Sequence, residues 1–206
     1  MRTGYAIFDV VPEGGQLLLA PAGDTSAWHW LAQEGSDRAL RCPVAYRRGR
    51  PLWRAQCDHH RAPNEAHWCG FRADVEPFLF ARYSADRLQV LLALTGRVIE
   101  TRLLERRLYL AERVGLVAVE APLCAWCDKR AEVAFLDTKP TLCPHALCYR
   151  CAREGGFEQR GQLASLEELA HRYGAILVPN GTLATYHASG GRMPSEVVRA
   201  VRRWER

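Results

Sequence analysis

The chain has 206 residues, 48% of them hydrophobic and 25% charged, with a net charge of +5. That balance is ordinary for a globular protein and excludes disorder over most of its length. It contains no run of eighteen apolar residues, so a membrane-spanning helix is not expected. Met1–Asp9 lacks the apolar core and small-residue cleavage site of a signal peptide, which makes the cytoplasm the expected compartment.

Tyr5–Val11 reads as a strand, Pro12-Glu13-Gly14-Gly15 as a turn and Gln16–Ala20 as a second strand. Residues 32–70 are rich in Arg, Pro and Gly and carry a first Cys/His group. Two long β-type segments follow, Leu88–Glu100 and Leu108–Glu120; Gly96 and Gly115 inside them suggest bulges or bends. Thr101–Arg107 between them reads as a turn or a short helix. The expected body is a strongly bent β-sheet or partial barrel, closed off by Pro122, where the second cysteine group begins.

Beyond Gly161 the punctuation is clear. Ser165-Leu166-Glu167-Glu168 is a capping box that opens a helix, and Gly174 stops it. Ala175–Val178 reads as a strand, Pro179-Asn180-Gly181 as a tight turn and Leu183–His187 as the returning strand. A last helix opens at Pro194-Ser195, with Val197, Val198, Val201 and Trp204 on one face. The reading is an α+β protein in three parts: a β-rich domain with a zinc site (1–121), a zinc knuckle (122–160) and a small αββα tail (161–206).

Five of the eight cysteines lie between Cys124 and Cys151. Cysteines paired at short spacing in a reducing compartment favour metal over disulfide. Zinc takes four ligands in a tetrahedron, and a Cys-x2-Cys knuckle presents two thiolates from one turn. Cys124/Cys127 and Cys148/Cys151 are therefore the expected ligands of one Zn2+, with Ala131–Leu136 as the strand leaving the first knuckle. Cys143 and His145 lie between the pairs and are further metal candidates.

The run Cys-x2-Cys-x15-Cys-x-His-x2-Cys-x2-Cys resembles the first six ligand positions of a RING finger. In that family alternate pairs share a metal, which implies the same four cysteines for the first zinc. Cys143 and His145 would need another pair downstream, and no Cys-x2-Cys follows Cys151. The resemblance thus implies one zinc site and lacks the second site of a ubiquitin ligase.

In the first group, Cys57, His60, His67 and Cys69 form a candidate site of two cysteines and two histidines, with His59 competing with His60; the expected total is two Zn2+ per chain. Residues 45–115 resemble a set of uncharacterised bacterial proteins that carry Cys, His, Pro and then Cys-x-Cys-Gly-Ile-Tyr-Ala before a "GRV-E" strand. Here His67-Trp68-Cys69-Gly70-Phe71-Arg72-Ala73 and Gly96-Arg97-Val98-Ile99-Glu100 hold those places, with His67 where that set has cysteine. The tail resembles TubC-like docking domains, in which an exposed hairpin binds a partner peptide; the corresponding positions are Ile176, Val178, Leu183 and Tyr186.

The leading functional expectation is a zinc-stabilised, non-enzymatic binding or adaptor protein whose partner is a protein, a nucleic acid or both, and not a membrane. One alternative is a DNA- or RNA-binding regulator. In it Arg47, Arg48, Arg50 and Arg54 would grip phosphates while Trp53 stacks on a base. The other is a zinc-dependent hydrolase at His59, His60 and His67, although no HExxH or deaminase spacing is present.

Overall fold

Strands that are buried on both faces lose the apolar–polar alternation of a half-exposed sheet. Leu88-Gln89-Val90-Leu91-Leu92-Ala93-Leu94 is such a run. Leu88, Val90, Leu92 and Leu94 enter one core, and Leu91 and Ala93 enter a second on the opposite face. The computed structural model describes residues 1–13, 16–21, 45–47, 50–55, 61–66, 70–78, 87–103, 105–137 and 145–206. Among them the first seven strands are β1 (Arg2–Glu13), β2 (Gln16–Pro21), β3 (Ala45–Arg47), β4 (Arg50–Arg54), β5 (Phe71–Asp74), β6 (Arg87–Leu103) and β7 (Arg106–Glu120).

β6 and β7 form a long antiparallel hairpin, so Thr101–Leu103 and Arg106–Arg107 continue its two strands where a turn or short helix was expected. β1 pairs with β2 beyond Phe8 and with β6 along Arg2–Asp9. The other edge of β7 takes β5 at Leu108–Ala111 and β4 at Arg113–Val114. A single Tyr5–Asp74 pairing joins β5 back to β1. The circuit β1–β6–β7–β5 is therefore closed, which gives the expected bent sheet its barrel-like curvature. The register of β6 on β7 slips where Gly96 and Arg97 oppose the single residue Glu112. Gly96 has φ of +74°, the left-handed conformation that this type of bulge requires.

The next strands are β8 (Val133–Asp137) and β9 (His145–Leu147), followed by helix α1 (Tyr149–Glu154), a 3-10 turn at Phe157–Gln159 and β10 (Gly161–Ser165). They make a separate three-stranded sheet in the order β10–β8–β9. The boundary expected at residue 161 is thus bridged, because β10 belongs to the same sheet as the cysteine module.

The last elements are α2 (Leu166–Arg172), β11 (Ile176–Val178), α3 (Thr182–Ala188) and α4 (Ser195–Glu205). The serine cap forms as expected: the Glu168 amide donates to Ser165 Oγ at 3.3 Å. The returning strand does not. Leu183–His187 is helical, and β11 is no hairpin arm, since it pairs in parallel with Ala118–Glu120 of β7. Leu183 and Tyr186, three residues apart, share a face in a helix and would split across the two faces of a strand. Tertiary partners favour the helix: the Leu183 amide donates to the buried carboxylate of Glu120 at 2.7 Å, and Leu183 and Tyr186 turn together into the second core. The docking-type hairpin is accordingly missing. Val178, Leu183 and Tyr186 are buried and Ile176 is half-buried, so they form core where a partner surface was expected.

α4 covers the same core with Val197, Ala200, Val201 and Trp204. Its docking depends on Gly115, where an added Cβ would lie 2.1 Å from the Trp204 ring. Gly115 therefore serves as the seat for the indole. The second register slip of the hairpin lies beside it, with Val117 as the extra residue between Leu116 and Ala118. Gly115→Val is expected to cost about 3 kcal/mol by overpacking, and Trp204→Ala about 3–5 kcal/mol by cavity formation. Chemical denaturation of the double variant should show a loss well below the sum of the two, because both remove the same contact.

Candidate metal centre

Leu123 and Arg130 bridge across a tight turn that holds the first Cys-x2-Cys pair. The Cys124 amide donates to the Lys129 carbonyl at 2.6 Å and the Asp128 amide to the Cys124 carbonyl at 3.1 Å. Asp128 takes φ of +56°, a region that Asp and Asn tolerate better than most residues. The Ala125 amide reaches the Ala146 carbonyl of β9 at 3.0 Å, which sets this knuckle beside the second. Cys148 caps α1, accepting the Cys151 amide on its sulfur at 3.4 Å, so the helix start presents both sulfurs inward. The Tyr149 amide donates to Glu132 Oε2 at 2.9 Å and ties α1 to the residue before β8.

The result is one cluster in which the Sγ atoms of Cys124, Cys127, Cys148 and Cys151 all lie within 4.8 Å of one another. Cys127 and Cys148 are 3.7 Å apart, far beyond the roughly 2.05 Å of a disulfide, and all four are free thiols. A tetrahedron with metal–sulfur bonds of about 2.3 Å has edges of roughly 3.8 Å, so the donor set fits a tetrahedral metal such as zinc. Cys124, Cys148 and Cys151 are buried, and Cys127 is the most open of the four. Burial opposes ionisation of Cys124, but hydrogen bonds from the backbone at Cys148, Trp126 and Cys127 outweigh it and bring the thiol down to about 7. Burial, and hydrogen bonds shared with Cys148, Cys127 and Cys124, hold Cys151 well above the ordinary thiol range. Four thiolates this close need a cation among them.

Val133, Phe135, Leu147, Ala152 and Phe157 pack with the cysteines as a small core of their own. Phe157 stands edge-on to both Phe135 and Trp126, with centroids 4.7 and 5.0 Å away. Trp126 nevertheless remains 57% exposed, and Tyr149 is 49% exposed. These two residues adjoin Cys127 and Cys148 in the chain, so an exposed aromatic accompanies each knuckle of the module. Sequence reading missed this pair; the signal available was an aromatic immediately beside a ligand in each knuckle.

Cys57, His59, His60, His67, Cys69 and Cys143 lie outside the described residues, as does the side chain of His145, whose backbone is in β9. Of the basic–aromatic segment, Arg48 and the side chains of Arg47 and Arg50 are also outside them. Trp53 corrects the expectation made for it. It is buried, with its ring 5.5 Å from that of Tyr173, so it is not free to stack on a base. Arg54 faces the buried Glu112 carboxylate at 3.4 Å, alongside Arg113 at 3.4 Å and Arg61 at 4.0 Å. The Arg97 amide donates to that carboxylate at 3.1 Å, across the Gly96 bulge. No protein-family model, curated protein or solved structure matches this chain, so the site rests on its own geometry.

The Arg97 amide, and then the charges of Arg113, Arg61 and Arg54 working against burial, hold Glu112 below the usual carboxylate range. A carboxylate whose folded pKa is depressed contributes stability that is complete above its unfolded value and is lost as pH falls through the folded one. Glu112→Gln should therefore lower stability at neutral pH and flatten the acid limb of a stability–pH curve measured by urea unfolding. An unchanged acid limb would show the bulge carboxylate to be energetically idle.

Proposed function

We propose that the protein is a zinc-braced, non-enzymatic binding protein, with Cys124, Cys127, Cys148 and Cys151 holding one structural Zn2+. The observation that carries this reading is the convergence of four thiols, three of them buried, on one point. Four thiolates saturate a tetrahedral metal and leave no open position for water or substrate, which is the arrangement of structural rather than catalytic zinc. The ion would cross-link the start of the module at Cys124 to helix α1, between the end of β7 and the helix α2 that packs on the first core. The surface it steadies carries Trp126 and Tyr149. Exposed, pre-positioned aromatics of this kind anchor protein partners at low entropic cost, so a protein is the partner class this face suits.

The expectation of two Zn2+ per chain adds the Cys57, His60, His67 and Cys69 group. Elemental analysis of the purified chain should give two equivalents, and Cys124→Ser should remove one of them. Cobalt substitution should produce the intense near-ultraviolet thiolate-to-metal bands of a tetrahedral four-thiolate site. Wild-type protein free of metal, or a Cys124→Ser variant with unchanged content, would overturn the assignment.

A further inference from the structure

Helix α4 presents two opposite faces. At about 100° per residue, Val197, Ala200, Val201 and Trp204 span one arc and are buried on the sheet. Arg199, Arg202, Arg203 and Arg206 follow one another at i, i+3, i+4 and i+7 on the opposite arc, and all four are exposed. None of these arginines is ion-paired among the described residues. Together with Glu205 they line a shallow, open depression at the end of the helix. Helix-end charge complementarity accounts for arginines in the last turn, but Arg199 stands a full turn earlier.

We infer that this stripe binds the phosphodiester backbone of a nucleic acid. The inference deepens the binding-protein reading and rests on it, adding a partner class and a place for it. Guanidinium groups grip phosphate oxygens in bidentate fashion. At 1.5 Å rise per residue the four side chains spread over roughly 10 Å, a row of cations suited to a row of regularly spaced anions. Apart from Lys129 and Lys139, all 28 basic residues of the chain are arginine, and the net charge of +5 favours approach of a polyanion. A lipid surface fits poorly. An interfacial helix inserts its apolar face, and that face of α4 is spent on the core, with Trp204 only 3% exposed. The seat of Trp204 on Gly115 also fixes the rotation of α4, so the arginines are held outward without reliance on the zinc module.

The test is fluorescence anisotropy of the full chain with labelled single-stranded and duplex oligonucleotides of about 20 units, across a salt series. Binding at low salt is expected. The duplex should give a log–log salt slope near −3 to −4, as about four phosphate contacts require. Arg199→Gln/Arg203→Gln should reduce that slope by about 2 and weaken binding about tenfold or more, with circular dichroism and zinc content unchanged. Arg130→Gln/Arg153→Gln should behave as wild type. The inference is overturned by absence of binding at low salt or by a stripe variant with unaltered slope. Displacement of the oligonucleotide by polyglutamate as readily as by unlabelled DNA would also overturn it, because the stripe would then be a site for acidic protein. Zinc is read on the same samples. Stoichiometric zinc without nucleic-acid binding sinks the stripe and leaves the brace, whereas binding without zinc sinks the brace and supports the stripe.

Discussion

A strand has two hydrogen-bonding edges, and β7 uses both along nearly its whole length. β6 occupies one edge from end to end, while β5, β4 and β11 share the other in turn. Everything else is placed by this division. β5 reaches back to β1 and closes the curved sheet. β4 brings Arg54 to Glu112. β11, entering in parallel at Ala118–Glu120, draws the last part of the chain onto the same strand. Both faces of the β6–β7 hairpin are covered, so alternate residues of β6 belong to the two different cores.

The cysteine module lies between the end of β7 and the return of the chain to it at β11. Its own apolar core is small, built around Phe135 and Phe157, and a unit of about 40 residues is at the size where a metal, a disulfide or a partner surface is usually needed. The four converging thiols offer a donor set that a metal such as zinc would fill. Backbone amides at Cys148, Trp126 and Cys127 favour the ionised sulfur of Cys124, so the local fold prepares that ligand. The module then returns the chain through β10 to α2. From there Tyr173 receives the Leu19 amide and Arg172 donates to the Leu17 carbonyl, which ties this return path to the far edge of the sheet.

Polar groups inside the body are used as joints. Glu112 sits at the Gly96 bulge amid three arginines, and Glu120 takes the Leu183 amide at the start of α3. The joint at Glu120 holds the first turn of the helix that stands where a strand was expected. A carboxylate from a strand distant in sequence satisfies a helix-end amide, and no local pattern records that partner. The same holds for Gly115. In a β-type segment glycine signals irregularity, and its service here, a seat for an indole from the far end of the chain, is invisible until the two are brought together.

What the sequence by itself determined is local in origin: the first hairpin, the two long strands with a bulge at Gly96, the capped helix after Ser165, the amphipathic last helix, and the four cysteines whose knuckle spacing leaves little choice of partner. These follow from hydrogen-bond geometry and periodicity within a few residues. Tertiary structure alone decided the rest. It anchored the start of Leu183–His187 on Glu120, buried Trp53, Val178 and Tyr186, turned Arg54 toward an internal carboxylate, and left the arginines of α4 on the outside. An amphipathic pattern shows that a segment has two faces. Which face is covered, and by what, depends on elements that meet it only once the chain has closed on β7.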